Sequence, residues 1–268
     1  RVQITNIPIV DKDQLIEAAR MYAAADKAPI IYCLGVTEHS TGTEGVMSMS
    51  NMAMVCGKFG KPGCGVNPLR GQNNVQGACD MGAGPADFTG YQKVANPDAL
   101  AKFETAWGVK MNRTPGLMAT ECFPAMIDGR IKALFLFGED PVRTDPDTHH
   151  VIHALESLDF LVVEELFMTE TAKYADVILP GRSYAEKEGT FTNTERRVQR
   201  VRKAVDGPAG ARLDTEVFAD IMRRMGYDQP TLTGAQLMDE VASLTPSYAG
   251  ISHARLDSAA VAGQGLQW

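Results

Sequence analysis

Five cysteines occur in 268 residues, and no two of them stand at C-x-x-C spacing. Cys33, Cys56, Cys64, Cys79 and Cys122 are also odd in number, so a structural zinc, an iron–sulfur cluster and a disulfide framework lack the pattern they need. Unpaired thiols in a reducing compartment remain, which points to the cytoplasm and leaves the periplasm open. A basic excess is missing too. The 26 Lys and Arg against 33 Asp and Glu give a net charge of −7, whereas a phosphate backbone demands surplus cations. Nucleic acid is therefore not an expected partner. The longest apolar run, around Ala133–Phe137, has the length of a buried strand, so membrane insertion is not expected either. Neither G-x-G-x-x-G behind a strand nor G-x-x-x-x-G-K-[ST] occurs, which excludes the usual NAD and ATP fingerprints. No Ser-His-Asp or Cys-His set has a usable context, and His149 and His150, at a helix start, do not suggest a metal site.

What is there is an ordinary soluble composition, 44% apolar and 22% charged, enough for one large domain or two small ones. Apolar spacing predicts a helix over Asp13–Ala25, with Leu15, Ile16, Ala19, Tyr22 and Ala23 on one face. Pro29 opens a strand, Ile30–Leu34, followed by a polar turn and a Met-rich helix over Thr43–Cys56. The stripe of Met47, Met49, Met52 and Met54 reads as core packing. From Gly57 to Gly90 no period survives, so a long ordered loop or crossover is expected, either a connector or the cradle of a polar ligand.

After Pro97 a helical stretch leads into a second alternating run. Ile131–Phe137 reads as a buried strand, Asp147–Leu158 as a helix capped by Asp145 or Asp147, Phe160–Val163 as a strand, and Glu170–Tyr174 as a short helix. Val177–Leu179 is a strand stopped by Pro180, and Leu213–Met225 and Ala235–Leu244 are amphipathic helices. This alternation predicts an α/β fold with parallel, doubly wound, Rossmann-like sheets and helices on both faces, in two incomplete or interleaved units. The expected divisions are 1–72, 73–225 and a C-terminal helical extension over 226–268. The sheet of the first unit has one clear strand, so its completion is expected from segments outside these residues.

Ligands on such sheets lie at the carboxyl ends of strands, where Val36–His39, Gly138–Asp140 and Glu164–Glu165 fall. Arg70 stands in a small-residue loop before Gln72, Asn73 and Asn74. Its planar fork suits a small carboxylate, or else it pairs on the surface with Asp80 or another acid. Glu164 and Glu165, and Glu38 after the first strand, fit acceptors for guanine N–H groups or ribose hydroxyls, and equally a solvated acidic turn. Arg196, Arg197, Arg200, Arg202 and Lys203 alternate with Val198 and Val201, which predicts a strand with one solvated basic face.

Three stretches carry a resemblance: GVTEHSTGTEGVMSMSNMAMVCGKFGKPGCGVNPLRGQNNVQGACDMGAGP, FGEDPVRTDPD and DFLVVEELFMTETAKYADVILPGRSYAEKEGTFTNTERRVQRVRKAV. Together they resemble the molybdopterin oxidoreductase superfamily, and GVNPLRGQNNVQGACDMGA in particular is similar to its formate dehydrogenase catalytic subunits. The resemblance implies a bis-molybdopterin guanine dinucleotide cofactor on molybdenum or tungsten. It implies Leu34 and Glu38 at one dinucleotide, and Gly138, Glu139, Asp140, Glu164, Glu165, Lys187 and Asp214 around the guanosine of the other. Arg70 corresponds to the arginine that orients formate, with Gln72 close by. Related proteins often carry Asp where Glu165 stands, which implies a longer or water-mediated guanine contact there.

The metal-ligating Cys or selenocysteine, the 4Fe-4S segment and the pterin-binding barrel of such enzymes are not represented, so this stretch is expected to be an internal piece, inactive alone. Its implied partners are formate, the remaining segments of the catalytic subunit and electron-transfer subunits. The competing expectation is a non-catalytic electron-transfer scaffold, like the superfamily member within respiratory NADH dehydrogenase. A generic guanine-nucleotide module is a third, weakened by the missing phosphate loop.

Overall fold

Asp11 starts the first helix, its carboxylate accepting from the backbone N–H of Asp13 at 2.8 Å and so capping α1 (Lys12–Ala24). The computed structural model describes residues 11–268, and the chain divides between Gln72 and Asn73 into two compact units. In the first unit α1 is followed by β1 (Pro29–Tyr32), α2 (Leu34–Thr37), α3 (Gly42–Val55) and β2 (Gly65–Pro68). The two strands pair in parallel from Pro29 opposite Gly65 to Tyr32 opposite Pro68. Lys58 is buried, and its ammonium donates to the carbonyls of Ala23 and Ala25, closing the C-terminus of α1 with a cation.

Two expectations fail in this unit. The Gly57–Gly90 stretch is not one structureless loop, because β2 and α4 (Val75–Asp80), the latter already in the second unit, both lie within it. A four-residue strand that contains one Gly and one Pro offers no readable period. The methionine stripe is not core: Met47, Met52 and Met54 are all exposed, Met47 and Met54 at 58%. The physical reason is that two four-residue strands present too little apolar surface to cover a fourteen-residue helix.

The second unit continues after α4 with β3 (Asp87–Phe88), β4 (Gln92–Lys93), α5 (Pro97–Trp107), α6 (Ala119–Ile127), β5 (Ala133–Phe137), α7 (Pro141–Thr144) and α8 (Thr148–Glu156). Asp147 caps α8, accepting from the backbone N–H of His150 at 3.1 Å. Then come β6 (Phe160–Glu165), β7 (Val177–Pro180), β8 (Gly189–Thr192), β9 (Arg197–Val201), α9 (Asp214–Arg224), α10 (Gly234–Leu244), α11 (His253–Leu256) and β10 (Leu266–Gln267). Strands β5, β6 and β7 form a parallel sheet in that order, with Phe137 opposite Glu164 and Glu165 opposite Pro180.

Strand alternation sends Leu134, Leu136, Leu161 and Val163 into a core with Phe123, Val142, Val151, Leu155 and Ala172. On the opposite face Phe135 and Phe137 each meet Phe218 of α9 at 5.5 Å between ring centres. Helices therefore cover both faces of this sheet. It is not the whole unit, however: β8, β9 and β10 form an antiparallel sheet, and β3 pairs antiparallel with β4. The fold is mixed α/β with small parallel and antiparallel sheets, rather than parallel throughout. Residues from 226 onward belong to this second unit, where Met238, Tyr248, Ile251 and Leu256 close a second core over Val198. The basic strand is solvated at Arg196, Arg202 and Lys203, and Arg200 is its exception. Arg200 keeps 8% of its side chain exposed and pairs with Glu188 at 3.6 Å and Asp257 at 3.2 Å. Among the described residues no helix is long and apolar enough to cross a membrane.

Candidate functional site

Parallel pairing puts the carboxyl ends of β1 and β2 on one edge of the first unit. Tyr32 accepts from the backbone N–H of Leu69 at 2.8 Å, and the Cys33 thiol donates to the carbonyl of Leu69 at 3.2 Å. These bonds hold the two strand exits together just before Leu34 and Arg70. A Cβ on Gly71 would stand 4.0 Å from Leu34 Cδ1, so the Arg70 loop passes beside the first turn of α2. Glu38 ends that turn, its N–H donating to the carbonyl of Leu34 at 3.0 Å. Leu34, Glu38, Arg70 and Gln72 thus arrive at one strand edge, all exposed. His39 has a structural contact, its ring Nε2 lying 3.0 Å from the carbonyl of Gly35. Asp80, the acid offered as a surface partner for Arg70, is fully buried. Its carboxylate accepts from Gln76, Tyr91, Tyr248 and Trp268 at 2.8 to 3.1 Å.

The second unit has its own edge, where β5, β6 and β7 end. Gly138 turns the chain out of β5 with φ of 62°, a left-handed conformation that costs a side chain about 1–2 kcal/mol, and its N–H donates to the carbonyl of Glu164 at 2.9 Å. Glu139 accepts from the Thr144 hydroxyl at 2.9 Å. Asp140 accepts from both the N–H and the hydroxyl of Thr171, at 3.0 and 2.6 Å. Burial pushes the Asp140 carboxyl up, but the Thr171 bonds and the nearby Arg143 outweigh it and hold it below the usual carboxylate range. One oxygen of Glu165 accepts from the backbone N–H of Leu166 at 2.9 Å. These three acids shape the edge.

Glu164 is different. It is 1% exposed, and no donor reaches either carboxylate oxygen; the polar group within hydrogen-bonding reach is the Asp214 carboxylate. Asp214, the first residue of α9, faces it, and Lys187 forms an ion pair with Asp214. Burial and repulsion from Asp214 push the Glu164 carboxyl up to about 7, against the pull of Lys187 and Arg212. A buried carboxylate without donors is costly, and it rarely persists without a reason such as an external partner.

The structure therefore brings Glu164, Lys187 and Asp214 together in one cluster, places Gly138, Glu139, Asp140 and Glu165 around it on the same strand edge, and collects Leu34, Glu38, Arg70 and Gln72 on the edge of the first unit. Sequence reading missed Gly181, whose Cβ position lies 3.7 Å from Glu164 Cγ and 3.8 Å from Asp214 Oδ1, and it missed Thr171. The Pro180–Gly181 stop after β7 was a usable signal for the first; nothing distinguished Thr171. Among the described residues no group of three or more His, Cys, Asp or Glu side chains is placed to hold a metal.

A family model described as molybdopterin oxidoreductase matches residues 12–224. The alpha subunit of F420-dependent formate dehydrogenase 1 from Methanococcus maripaludis is 46% identical over 97% of this chain and 38% of its own length. The alpha subunit of F420-dependent formate dehydrogenase from Methanocaldococcus jannaschii is 50% identical over 92% of this chain and 37% of its own. The chain thus spans a little over a third of the length of these relatives. Acetylene hydratase from Pelobacter acetylenicus shares the fold with a TM-score of 0.63 at 19% identity, over 91% of this chain and 36% of that one.

Proposed function

The chain belongs to the molybdopterin oxidoreductase family, and from that premise we propose that it is part of a formate dehydrogenase catalytic subunit and supplies a share of the molybdopterin guanine dinucleotide cradle. The observation that carries this reading is Glu164, a buried carboxylate whose two oxygens lack donors, at the carboxyl edge of a parallel sheet. Guanine presents adjacent N1–H and N2–H donors that match those two acceptors; adenine presents an acceptor in place of the first. The residues fit the nucleotide end of the group on that ground. Asp214, ion-paired with Lys187, offers a further acceptor for a ribose hydroxyl. Gly138, Glu139, Asp140 and Glu165 build the walls, and Leu34 and Glu38 serve the other dinucleotide.

The metal–pterin group, when bound, supplies the two-electron redox capacity that formate oxidation requires and side chains lack. The protein's part is orientation and charge. Formate has one carboxylate handle, and the Arg70 guanidinium, with Gln72 two residues on, orients it through a two-pronged, charge-assisted contact. Partner subunits would receive the two electrons.

Equilibrium binding of guanosine and adenosine to the chain tests the reading. Guanosine should bind about tenfold or more tightly than adenosine, the worth of one satisfied charged hydrogen bond, and Glu164→Gln should abolish the preference. Equal binding of the two nucleosides, or none, would overturn it.

A further inference from the structure

The donors around Glu164 bond elsewhere, and none reaches its carboxylate. The N–H of Gly138 goes to the Glu164 carbonyl at 2.9 Å, the N–H of Gly181 to the carbonyl of Glu165 at 3.1 Å, and the N–H of Leu166 to the Glu165 side chain at 2.9 Å. The Lys187 ammonium is paired with Asp214. The Arg212 guanidinium reaches Asp220 Oδ2 and the carbonyl of Glu216, both at 3.3 Å. Facing groups come from three places: Asp214 on α9, Arg212 just before it, and Lys187 after the turn Tyr184–Glu186. The residues of β7, Val177 to Pro180, and Gly181 after it bring no titratable group.

A charged Glu164 would therefore face a second carboxylate, out of water and without a donor, an arrangement that only a proton or an outside donor pair relieves. With a proton, its hydroxyl has Asp214 as acceptor. With guanine in place, N1–H and N2–H satisfy both oxygens and favour the charged form.

Resting on the guanine reading of this edge, we propose that Glu164 carries a proton in the free protein and gives it to solvent when a guanine base docks. The step balances simply: the carboxyl O–H breaks, one proton leaves to the buffer, both N–H protons stay on the base, and no electrons move. Docking of the cofactor's guanosine end is then proton-linked, and acid disfavours it.

The carboxyl of the free site titrates at about 7, so guanosine affinity should rise about tenfold between about pH 6 and about pH 8 and then level off. Guanosine is the probe because it carries no phosphate to titrate in that range. Isothermal titration calorimetry of the 268-residue chain, in two buffers of different ionisation enthalpy, counts the protons directly. Close to one proton should leave per guanosine at about pH 6, and close to none at about pH 8. In Glu164→Gln, whose fold near-ultraviolet circular dichroism can verify, binding should weaken about tenfold or more at about pH 8 and lose its pH dependence.

Guanosine binding that is flat across this range, or that releases no proton at about pH 6, overturns the inference and leaves the guanine site standing. Absence of guanosine binding at every pH overturns the site and the linkage together. The wild-type proton count does not depend on any variant folding.

Discussion

At the scale of single residues, Arg70 and Glu164 make separate claims with separate measurements. On the proposed role of Arg70 in orienting formate, its replacement by Lys in the full-length subunit keeps the charge and loses the planar fork, so kcat/KM for formate should fall at least about tenfold, a change worth about 1.4 kcal/mol. Metal content measured in parallel should stay at the wild-type level; unchanged kinetics at full loading would remove Arg70 from the substrate. For Glu164 the readout is stability. Its folded carboxyl sits at about 7 against an ordinary 4.5. Between those values the folded chain holds a proton that the unfolded chain has lost, so stability falls as pH rises through the window and is flat on either side. Urea melts of wild type and Glu164→Gln should diverge between about pH 5 and about pH 8, wild type losing on the order of 1–3 kcal/mol relative to the variant. A pH-independent difference would mean the carboxyl does not titrate there. Sequence alone treats Glu164 and Glu165 as equivalent neighbours at a strand end. Register separates them: Glu164 pairs opposite Phe137 and Leu179 with its side chain under α9, whereas Glu165 closes on the backbone of Leu166.

Elements were legible where they were long and periodic. The helix over Asp214–Arg224 and the strand over Ala133–Phe137 fall within the stretches that apolar spacing marks out, because each buries a face against one neighbour. The short strands Gly65–Pro68 and Gly189–Thr192 carry too few side chains to show a period, and their pairing is decided by distant partners. The hub at Asp80 was equally hidden. It ties α4 to the turn at Tyr91, the 3-10 turn Pro246–Tyr248 and the indole of Trp268, residues separated by up to 188 positions. Tyr248 donates to Asp80 at 2.8 Å and lies 3.0 Å from the Thr192 hydroxyl, and burial raises its own ionisation well above the usual tyrosine range. Tyr248→Phe keeps the ring and deletes the donor to a buried carboxylate. It should cost about 1.5–3 kcal/mol in a denaturant melt, with the slope of the transition unchanged. A loss below about 0.5 kcal/mol would show that the remaining three donors suffice for Asp80.

At the scale of the whole molecule, the two units differ in how much they bury. Both hydrophobic clusters among the described residues lie in the second unit, one under β5, β6 and β7 and one over β9. In the first unit the described apolar residue that is fully buried is Ala53, while Ile31, Leu34, Met47, Met54, Val55 and Phe59 are exposed. A two-stranded sheet with so little buried area is marginal by itself, since about 25 cal/mol for each buried Å² must offset the entropy of ordering every residue. Composition averages over both units and conceals this, which is why the methionines of α3 read as core in the sequence. Their apolar spacing belongs to a helix that needs covering, and the cover is not supplied by β1 and β2. The consequence is an uneven stability across one chain. Native-state hydrogen exchange should find the amides of Ala133–Phe137 and Phe160–Glu165 among the slowest, opening only with the unfolding of their unit. Those of Ile30, Ile31, Tyr32, Gly65, Val66 and Asn67 should exchange about a hundredfold faster or more, a gap of roughly 3 kcal/mol in opening free energy. Equal protection in the two sheets would mean that the first unit is stabilised as strongly as the second, and that the exposed face of α3 costs it nothing.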